Sequence, residues 1–165
     1  MKLRLLLNKD CDRSCAGCCN KDWDLDNLPI CKTYKDYEEI ILTGGEPMLY
    51  PVRVLETINE IRTENPKAKI ILYTAKPIDD ALFRYMMCKL DGITITFHEQ
   101  KDVGHFNKVW RVFYKEELEK KIIRLNVFKG IDISSVDKEG IRVKENMVWI
   151  KNCPLPEDEV FERIE

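Results

Sequence analysis

The sequence lacks several features, and each absence argues against a class of protein. It has no apolar run near the length of a membrane span, no low-complexity segment and no internal repeat. The opening residues do not resemble a signal peptide, because the apolar stretch is short and no small-residue cleavage site follows it. The 27 basic and 29 acidic residues leave no basic excess for a nucleic-acid surface. We therefore expect a cytoplasmic protein with neither a membrane nor a nucleic acid as partner.

The remaining composition is that of a globular chain with one hydrophobic core. Hydrophobic residues make up 44% and charged residues 34% of the 165 residues, a length typical of one domain. Through residues 1–130, short apolar segments alternate with amphipathic ones, which predicts βα units and a mainly parallel sheet. The segment 141–150 instead resembles a hairpin. We predict a single domain over residues 1–165, with its core over 1–130 and a C-terminal β-hairpin and tail over 131–165.

The predicted strands carry one apolar and one polar face. In the segment 92–98, Thr94, Thr96 and His98 alternate with apolar residues, and in the segment 122–128 Arg124 and Asn126 do the same. A parallel strand that is covered on both faces is normally apolar throughout. The polar face is explained either by a solvated sheet edge or by a curved sheet whose polar lumen holds a ligand. We predict the second, an α/β fold with a partial (β/α) barrel of about five or six mainly parallel strands.

Four of the seven cysteines lie close together, in the segment CDRSCAGCC that follows the first predicted strand. Reducing conditions in the cytosol and the odd cysteine count both argue against a disulfide framework. A zinc site needs a fourth ligand and typically a second paired motif, which the other cysteines and the two histidines do not form. A redox pair of Cys15 and Cys18 leaves Cys11 without a role. Three thiolates spaced C-x3-C-x2-C on one loop can also hold three corners of an iron–sulfur cubane.

The second predicted strand ends in TGGEP, residues 43–47. Paired glycines let a ligand approach the backbone, and Glu46 adds a fixed hydrogen-bond acceptor. In their order and separation, CDRSCAGC and TGGEP together resemble the radical S-adenosylmethionine superfamily. The resemblance covers residues 1–130 and implies a partial barrel. It also implies a 4Fe–4S cluster bound by Cys11, Cys15 and Cys18.

The resemblance implies an enzyme that cleaves S-adenosylmethionine reductively to methionine and a 5′-deoxyadenosyl radical, which abstracts hydrogen from a substrate. A flavodoxin or ferredoxin would supply the electron, and no residue identifies the substrate. The implied cofactor contacts are Gly44, Gly45 and Glu46 for the methionine ammonium group, and Thr74, Thr96, His98 and Asn126 elsewhere. For each of the contacts on the later strands, an ordinary hydrogen bond in the core is an equal alternative.

Gly17 departs from the family pattern, because many members carry an aromatic residue directly before the third cysteine, where it packs near the adenine. The adenine would then have to be held by another residue. Small residues occur at this position in activating enzymes for glycyl-radical proteins, and the short chain and the segment CNKDW also resemble that group. Such an enzyme installs a glycyl radical on a partner such as anaerobic ribonucleotide reductase.

Two further alternatives stay open. The segment LTGGEPML suits a small-molecule enzyme similar to 7-carboxy-7-deazaguanine synthase equally well. The alternative from another functional class is a non-catalytic zinc or thiol redox module. A compact barrel leaves one side open, which suits either a macromolecular substrate or a second copy of the chain. No role is assigned to Cys19, Cys31, Cys88 and Cys153.

Overall fold

The computed structural model describes residues 1–78, 81–111, 113 and 118–165. In these residues the chain forms three α-helices and seven β-strands, and none of the described helices has the length and apolarity needed to span a membrane. The helices are α1 (Pro51–Glu64), α2 (Ala81–Lys89) and α3 (Gln100–Trp110). The strands are β1 (Lys2–Leu6), β2 (Glu39–Thr43), β3 (Lys69–Thr74), β4 (Gly92–Phe97), β5 (Ile122–Phe128), β6 (Ile141–Met147) and β7 (Glu159–Arg163).

The described strands form one sheet in the order β6-β5-β4-β3-β2-β1-β7, and every neighbouring pair is parallel. From β1 to β6, each strand lies beside the one before it in the chain. Right-handed crossovers in one direction place the connecting helices on one face and leave the other face to form a lumen. The α/β class and the parallel sheet are therefore confirmed. The open sheet is consistent with the predicted partial barrel, although it has seven strands rather than five or six.

The predicted C-terminal hairpin is wrong. β6 pairs in parallel with β5, and β7 pairs in parallel with β1 at the other edge of the sheet. Asn146 has a φ of 58°, and the residues expected to form the second arm are exposed, with Val148 at 60% and Ile150 at 56%. The tail over 131–165 thus adds two strands to the same sheet. Alternation within the segment could not reveal partners so distant in the chain.

The hydrophobic core lies between the helices and one face of the sheet. α1 begins at Pro51, whose fixed φ suits a first helical turn, and it buries Val54, Ile58 and Ile61 at helical spacing. The faces of β4 and β5 are as predicted, because the residues that enter this core are Ile93, Ile95, Phe97, Ile123, Leu125 and Val127. The polar residues of the same strands occupy the opposite face. Further core residues are Leu3, Leu5, Ile40, Leu42, Ile70, Leu72, Phe83, Met86 and Phe106.

Contacts across the mouth of the sheet show that it is curved. Trp149, two residues beyond β6, packs against Gly17 in the loop that follows β1. β6 and β1 are five strand positions apart, which would be about 24 Å in a flat sheet. The curvature therefore brings the ends of distant strands around one opening, as the predicted barrel requires.

Candidate functional site

The cysteine loop, residues 8–18, lies at the carboxyl edge of the sheet, where parallel folds place their active sites. Its first residues are hydrogen-bonded to the end of β2. The amide of Gly45 donates to the carbonyl oxygen of Asn8 at 2.9 Å, and the amide of Glu46 donates to that of Asp10 at 2.7 Å. The two segments that carry the family resemblance are thus joined through their backbones.

The paired glycines permit this close approach. A Cβ atom at Gly45 would lie 2.6 Å from the carbonyl oxygen of Lys9, and one at Gly44 would lie 2.8 Å from that of Asn8. The carbonyl oxygen of Gly44 also accepts a hydrogen bond from the Asn20 side chain at 3.0 Å. The structure therefore gives both glycines a role in seating the cysteine loop. Their predicted contact with a ligand stays a prediction.

Three free thiols belong to the loop. Cys11 is exposed, and Cys15 and Cys18 are half-buried. Burial raises the pKa of the Cys15 thiol, and the neighbouring thiols of Cys18 and Cys11 raise it further. Burial also raises the pKa of Cys11. Among the described residues, no three His, Cys, Asp or Glu side chains form a group that could hold a metal ion. The thiols are near enough to interact but do not converge as ligands in this conformation.

Cys19, the fourth cysteine of the segment CDRSCAGCC, is not a free thiol. Cys19 forms a disulfide with Cys153, with the two Cα atoms 5.5 Å apart. The sequence argument against disulfides is wrong for this pair, because 134 residues separate its members and only the curved sheet brings them together. The bond fastens the segment after β6 to the cysteine loop. It also removes Cys19 from the thiols available to a metal and leaves three in the loop.

Glu46 is buried, with 2% of its surface exposed, and its carboxylate connects the ends of β2 and β3. One oxygen accepts from the amide of Met48 at 2.9 Å and from the hydroxyl of Thr74 at 2.5 Å, and the other accepts from the amide of Ala75 at 2.9 Å. The structure thus brings the predicted site residues Glu46 and Thr74 together. Because an ionised carboxylate offers roughly four acceptor positions, one position has no donor among the described residues.

Sequence reasoning missed the ion pair that anchors the cysteine loop. Arg13 donates two hydrogen bonds to Asp102, at 2.9 and 2.8 Å, and a third to the carbonyl oxygen of Ala75 at 3.1 Å. Asp102 is 4% exposed and also accepts from the amides of His98 and Glu99. Burial opposes ionisation of Asp102, but these donors outweigh it and hold its pKa below the ordinary value. The only signal in the sequence was the pairing of Glu99 with Asp102 in a capping box at the start of α3.

An aromatic cluster at the mouth of the lumen was also missed. The ring of Trp149 stacks on the His98 ring with centroids 5.4 Å apart, and it packs beside Phe128 at 4.3 Å. A Cβ atom at Gly17 would lie 2.5 Å from the Cβ of Trp149. The structure therefore places an aromatic ring directly beside the third cysteine, although the sequence has glycine at the neighbouring position. The exposed apolar run from Val148 to Ile150 was the available signal.

The remaining predicted residues face the lumen with free polar groups. Burial lowers the pKa of His98, and the nearby charge of Arg13 lowers it further. The buried Nδ1 atom of His98 has no hydrogen-bond partner among the described residues. The buried Oδ1 atom of Asn8 likewise has no hydrogen-bond partner in the described part of the chain. Thr96 and Asn126 are neighbours across β4 and β5. Neither of their side chains is hydrogen-bonded to the described part of the chain, which includes Glu46.

Comparison of the chain with protein-family models finds no match, and comparison with curated proteins finds none either. The function is therefore argued from the site's own residues. These are the cysteine loop, the buried Glu46 and the polar lumen beside them.

Proposed function

We propose that the protein is a radical S-adenosylmethionine enzyme whose 4Fe–4S cluster is bound by Cys11, Cys15 and Cys18. The observation that carries the proposal is the junction between the cysteine loop and the TGGEP segment. Hydrogen bonds from Gly45 and Glu46 bring into one site the two segments on which the resemblance rests. They meet at the carboxyl edge of a curved parallel sheet, where a cofactor has access to the lumen.

The donor set supports a cluster with one open iron. A 4Fe–4S cluster is ordinarily held by four cysteine thiolates. The loop holds three free thiols, and the disulfide keeps the adjacent Cys19 from acting as a fourth ligand, so one iron would be available to the amino and carboxylate groups of S-adenosylmethionine. When bound, the cluster and S-adenosylmethionine supply a one-electron reductive cleavage that leads to hydrogen abstraction from a substrate.

The chain's own residues orient the cofactor and shield it from water. The open acceptor position of Glu46 suits the methionine ammonium group, and Thr74 fixes the carboxylate that receives it. Gly44 and Gly45 hold the cysteine loop against this carboxylate. Thr96, His98 and Asn126 offer lumen-facing polar groups to the remainder of the cofactor or to the substrate. A flavodoxin or ferredoxin would supply the electron.

A glycyl-radical activating enzyme is a second candidate with the same chemistry. The observation that favours it is the exposed apolar run formed by Val148, Trp149 and Ile150, which lies beside the cysteine loop. Exposed apolar surface next to a reactive site is typical of a docking surface for another protein. A non-catalytic redox module gains support from the disulfide, but it gives no role to the buried Glu46 or to the polar lumen.

Anaerobic reconstitution with iron and sulfide tests the cluster, and Glu46→Gln tests the cofactor site. We expect the wild type to be brown and to show a 4Fe–4S spectrum. Cys15→Ala is expected to abolish this spectrum. Cys88→Ala, at an exposed thiol outside the loop, is expected to leave the spectrum unchanged. Glu46→Gln is expected to keep the iron content and to weaken S-adenosylmethionine binding about tenfold, because it removes an ionic hydrogen bond. A colourless protein that binds zinc through the same cysteines would favour the structural module instead.

A further inference from the structure

A row of side chains that donate no hydrogen bond to the described residues crosses the lumen face of β4, β5 and β6. Thr94 on β4 is paired in register with Arg124 on β5, and Arg124 is paired with Arg142 on β6. All three side chains lie on the face opposite the hydrophobic core, because the residues that alternate with them are packed in or against it. Lys144 follows Arg142 on the same face.

The two arginines form a like-charge pair. Residues paired across neighbouring strands have side chains close enough to interact, and like charges in such positions destabilise a sheet. Neither Arg124 nor Arg142 makes a hydrogen bond or ion pair with the described residues. The strands β3, β4, β5 and β6 contain one acidic residue, Glu145, which pairs with Lys138 at 3.5 Å rather than with either arginine. The fold therefore carries an uncompensated positive charge here, and Arg124 is half-buried.

At the opposite edge of the sheet, a lumen-facing arginine is neutralised by a carboxylate. Arg4 on β1 donates to the carboxylate of Glu159 on the adjacent β7, at 2.8 and 3.0 Å. Lys2, the first residue of β1, pairs with Asp158 at 2.8 Å. The absence of such a partner for Arg124 is thus specific to its own part of the lumen.

Thr94 provides the independent observation. It is 1% exposed, and its hydroxyl oxygen has no hydrogen-bond partner in the described part of the chain. A buried polar group without a partner is costly, and such groups in native structures usually have a partner such as water or a ligand. The orphaned hydroxyl lies next to Arg124 in the same row, so one ligand group can satisfy both.

We propose that Arg124, Arg142 and Thr94 bind an anionic group of the substrate, a carboxylate or a phosphate. Guanidinium groups match the planar carboxylate and the phosphate with paired hydrogen bonds. Thr94 lies deeper than the His98 ring, which is four residues further along the strand, or about 13 Å, whereas Arg142 on the edge strand β6 is exposed. Describing the anion as part of the substrate rests on the proposed function, whereas binding of an anion to the row does not.

Thermal unfolding of the full chain in sodium phosphate, and separately in sodium succinate, tests the row against sodium chloride of equal ionic strength. We expect a saturable rise in Tm for the wild type with at least one of the two anions. Arg124→Met and Arg142→Met are expected to raise the apparent Kd about tenfold or more. Lys129→Met, which removes an exposed positive charge just beyond β5, is the matched control and keeps the wild-type Kd.

Thr94→Val provides a second variant that keeps the shape of the side chain. Because it removes an unpaired hydroxyl, it is expected to fold at least as stably as the wild type and to bind the anion more weakly. The proposal is overturned if neither anion raises Tm beyond chloride. It is equally overturned if Arg124→Met keeps the wild-type Kd, or if Lys129→Met loses as much affinity as Arg124→Met.

Titration of the reconstituted protein with S-adenosylmethionine separates the two sources of the anion. If Arg124→Met leaves S-adenosylmethionine binding unchanged, the anion belongs to the substrate, as proposed. If the variant weakens S-adenosylmethionine as much as it weakens phosphate or succinate, the row binds the cofactor's own carboxylate and the substrate assignment is wrong. Failure of the cluster to form would contradict the proposed function and leave the phosphate and succinate results standing.

Discussion

Arg13 and Asp102 form a two-point ion pair that fastens the cysteine loop to the start of α3. Arg13 lies between the first two cysteines of the loop, and Asp102 lies in the first turn of the helix that follows β4. The pair therefore connects the candidate cluster ligands to the far side of the sheet opening. It holds the loop in place by a contact that involves none of the thiols.

Arg13→Met is expected to destabilise the fold by about 3 kcal/mol, because it leaves the buried Asp102 carboxylate without its counter-ion. The free energy of unfolding from denaturant titration measures the effect. Lys9→Met is the matched control, since Lys9 pairs with Asp26 at the surface and such pairs contribute about 1 kcal/mol or less. Equal losses for the two variants would show that Arg13 does not anchor the loop.

The same pair predicts a dependence of stability on pH. The pKa of Asp102 is lower in the folded protein than in the unfolded chain, so its ionised form stabilises the fold. This contribution is fully present above the ordinary carboxyl pKa and is lost as the pH falls through the folded value. The stability advantage of the wild type over Asp102→Asn is therefore expected to shrink between neutral pH and about pH 3. An advantage that is independent of pH in this range would contradict the assignment.

Two glycines are expected to respond in opposite ways to substitution by alanine. Gly45→Ala introduces a Cβ that overlaps the backbone of Lys9 and Asp10, so it should displace the cysteine loop and lower both Tm and iron uptake. Gly104→Ala has nothing within 4 Å of the new Cβ and lies inside α3, so it should stabilise the protein by about 0.5–1 kcal/mol. Loss of stability from both variants, or from neither, would contradict this account of Gly45.

The disulfide between Cys19 and Cys153 is expected to stabilise the oxidised protein. A disulfide that closes a long loop typically adds about 3 kcal/mol to the free energy of unfolding, mostly because it restricts the unfolded chain. Under non-reducing conditions Cys153→Ser should unfold at a lower Tm than the wild type, and a reductant should remove the difference. Cys88→Ser, at an exposed free thiol, is the control and should match the wild type. Mass spectrometry that finds seven free thiols in the oxidised protein would contradict the bond.

Much of the fold was predictable because it is encoded locally. Short apolar segments indicated the strands from β1 to β5, alternation indicated the two faces of β1, β4 and β5, and helical spacing over residues 51–65 indicated α1. The placement of β7 beside β1 was not predictable, because its pairing partners lie more than 150 residues away in the chain. The error over the hairpin has another cause, since alternation marks a strand without naming its partner, and β6 pairs with the preceding strand β5 rather than with the segment that follows it.

In the candidate site, too, the features that depend on short segments were predictable, and those that depend on the whole sheet were not. The cysteines and Glu46 were found from two short segments, and the junction between those segments follows from the adjacency of β1 and β2. The contact of Trp149 with Gly17 depends on the curvature of the whole sheet, as does the ion pair of Arg13 with Asp102. No spacing within one segment records such contacts. Helical spacing also predicts helices over residues 79–88 and 106–118, but parts of both predictions fall on residues 79, 80, 112 and 114–117, which lie outside the described structure.

Detection of 5′-deoxyadenosine tests the central claim most directly. The protein is reconstituted anaerobically with iron and sulfide, reduced with dithionite and incubated with S-adenosylmethionine, and the products are measured by mass spectrometry. The account predicts 5′-deoxyadenosine and methionine from the wild type and neither above background from Cys15→Ala. A wild-type protein that assembles the cluster and binds S-adenosylmethionine, yet yields no more 5′-deoxyadenosine than Cys15→Ala, would contradict it.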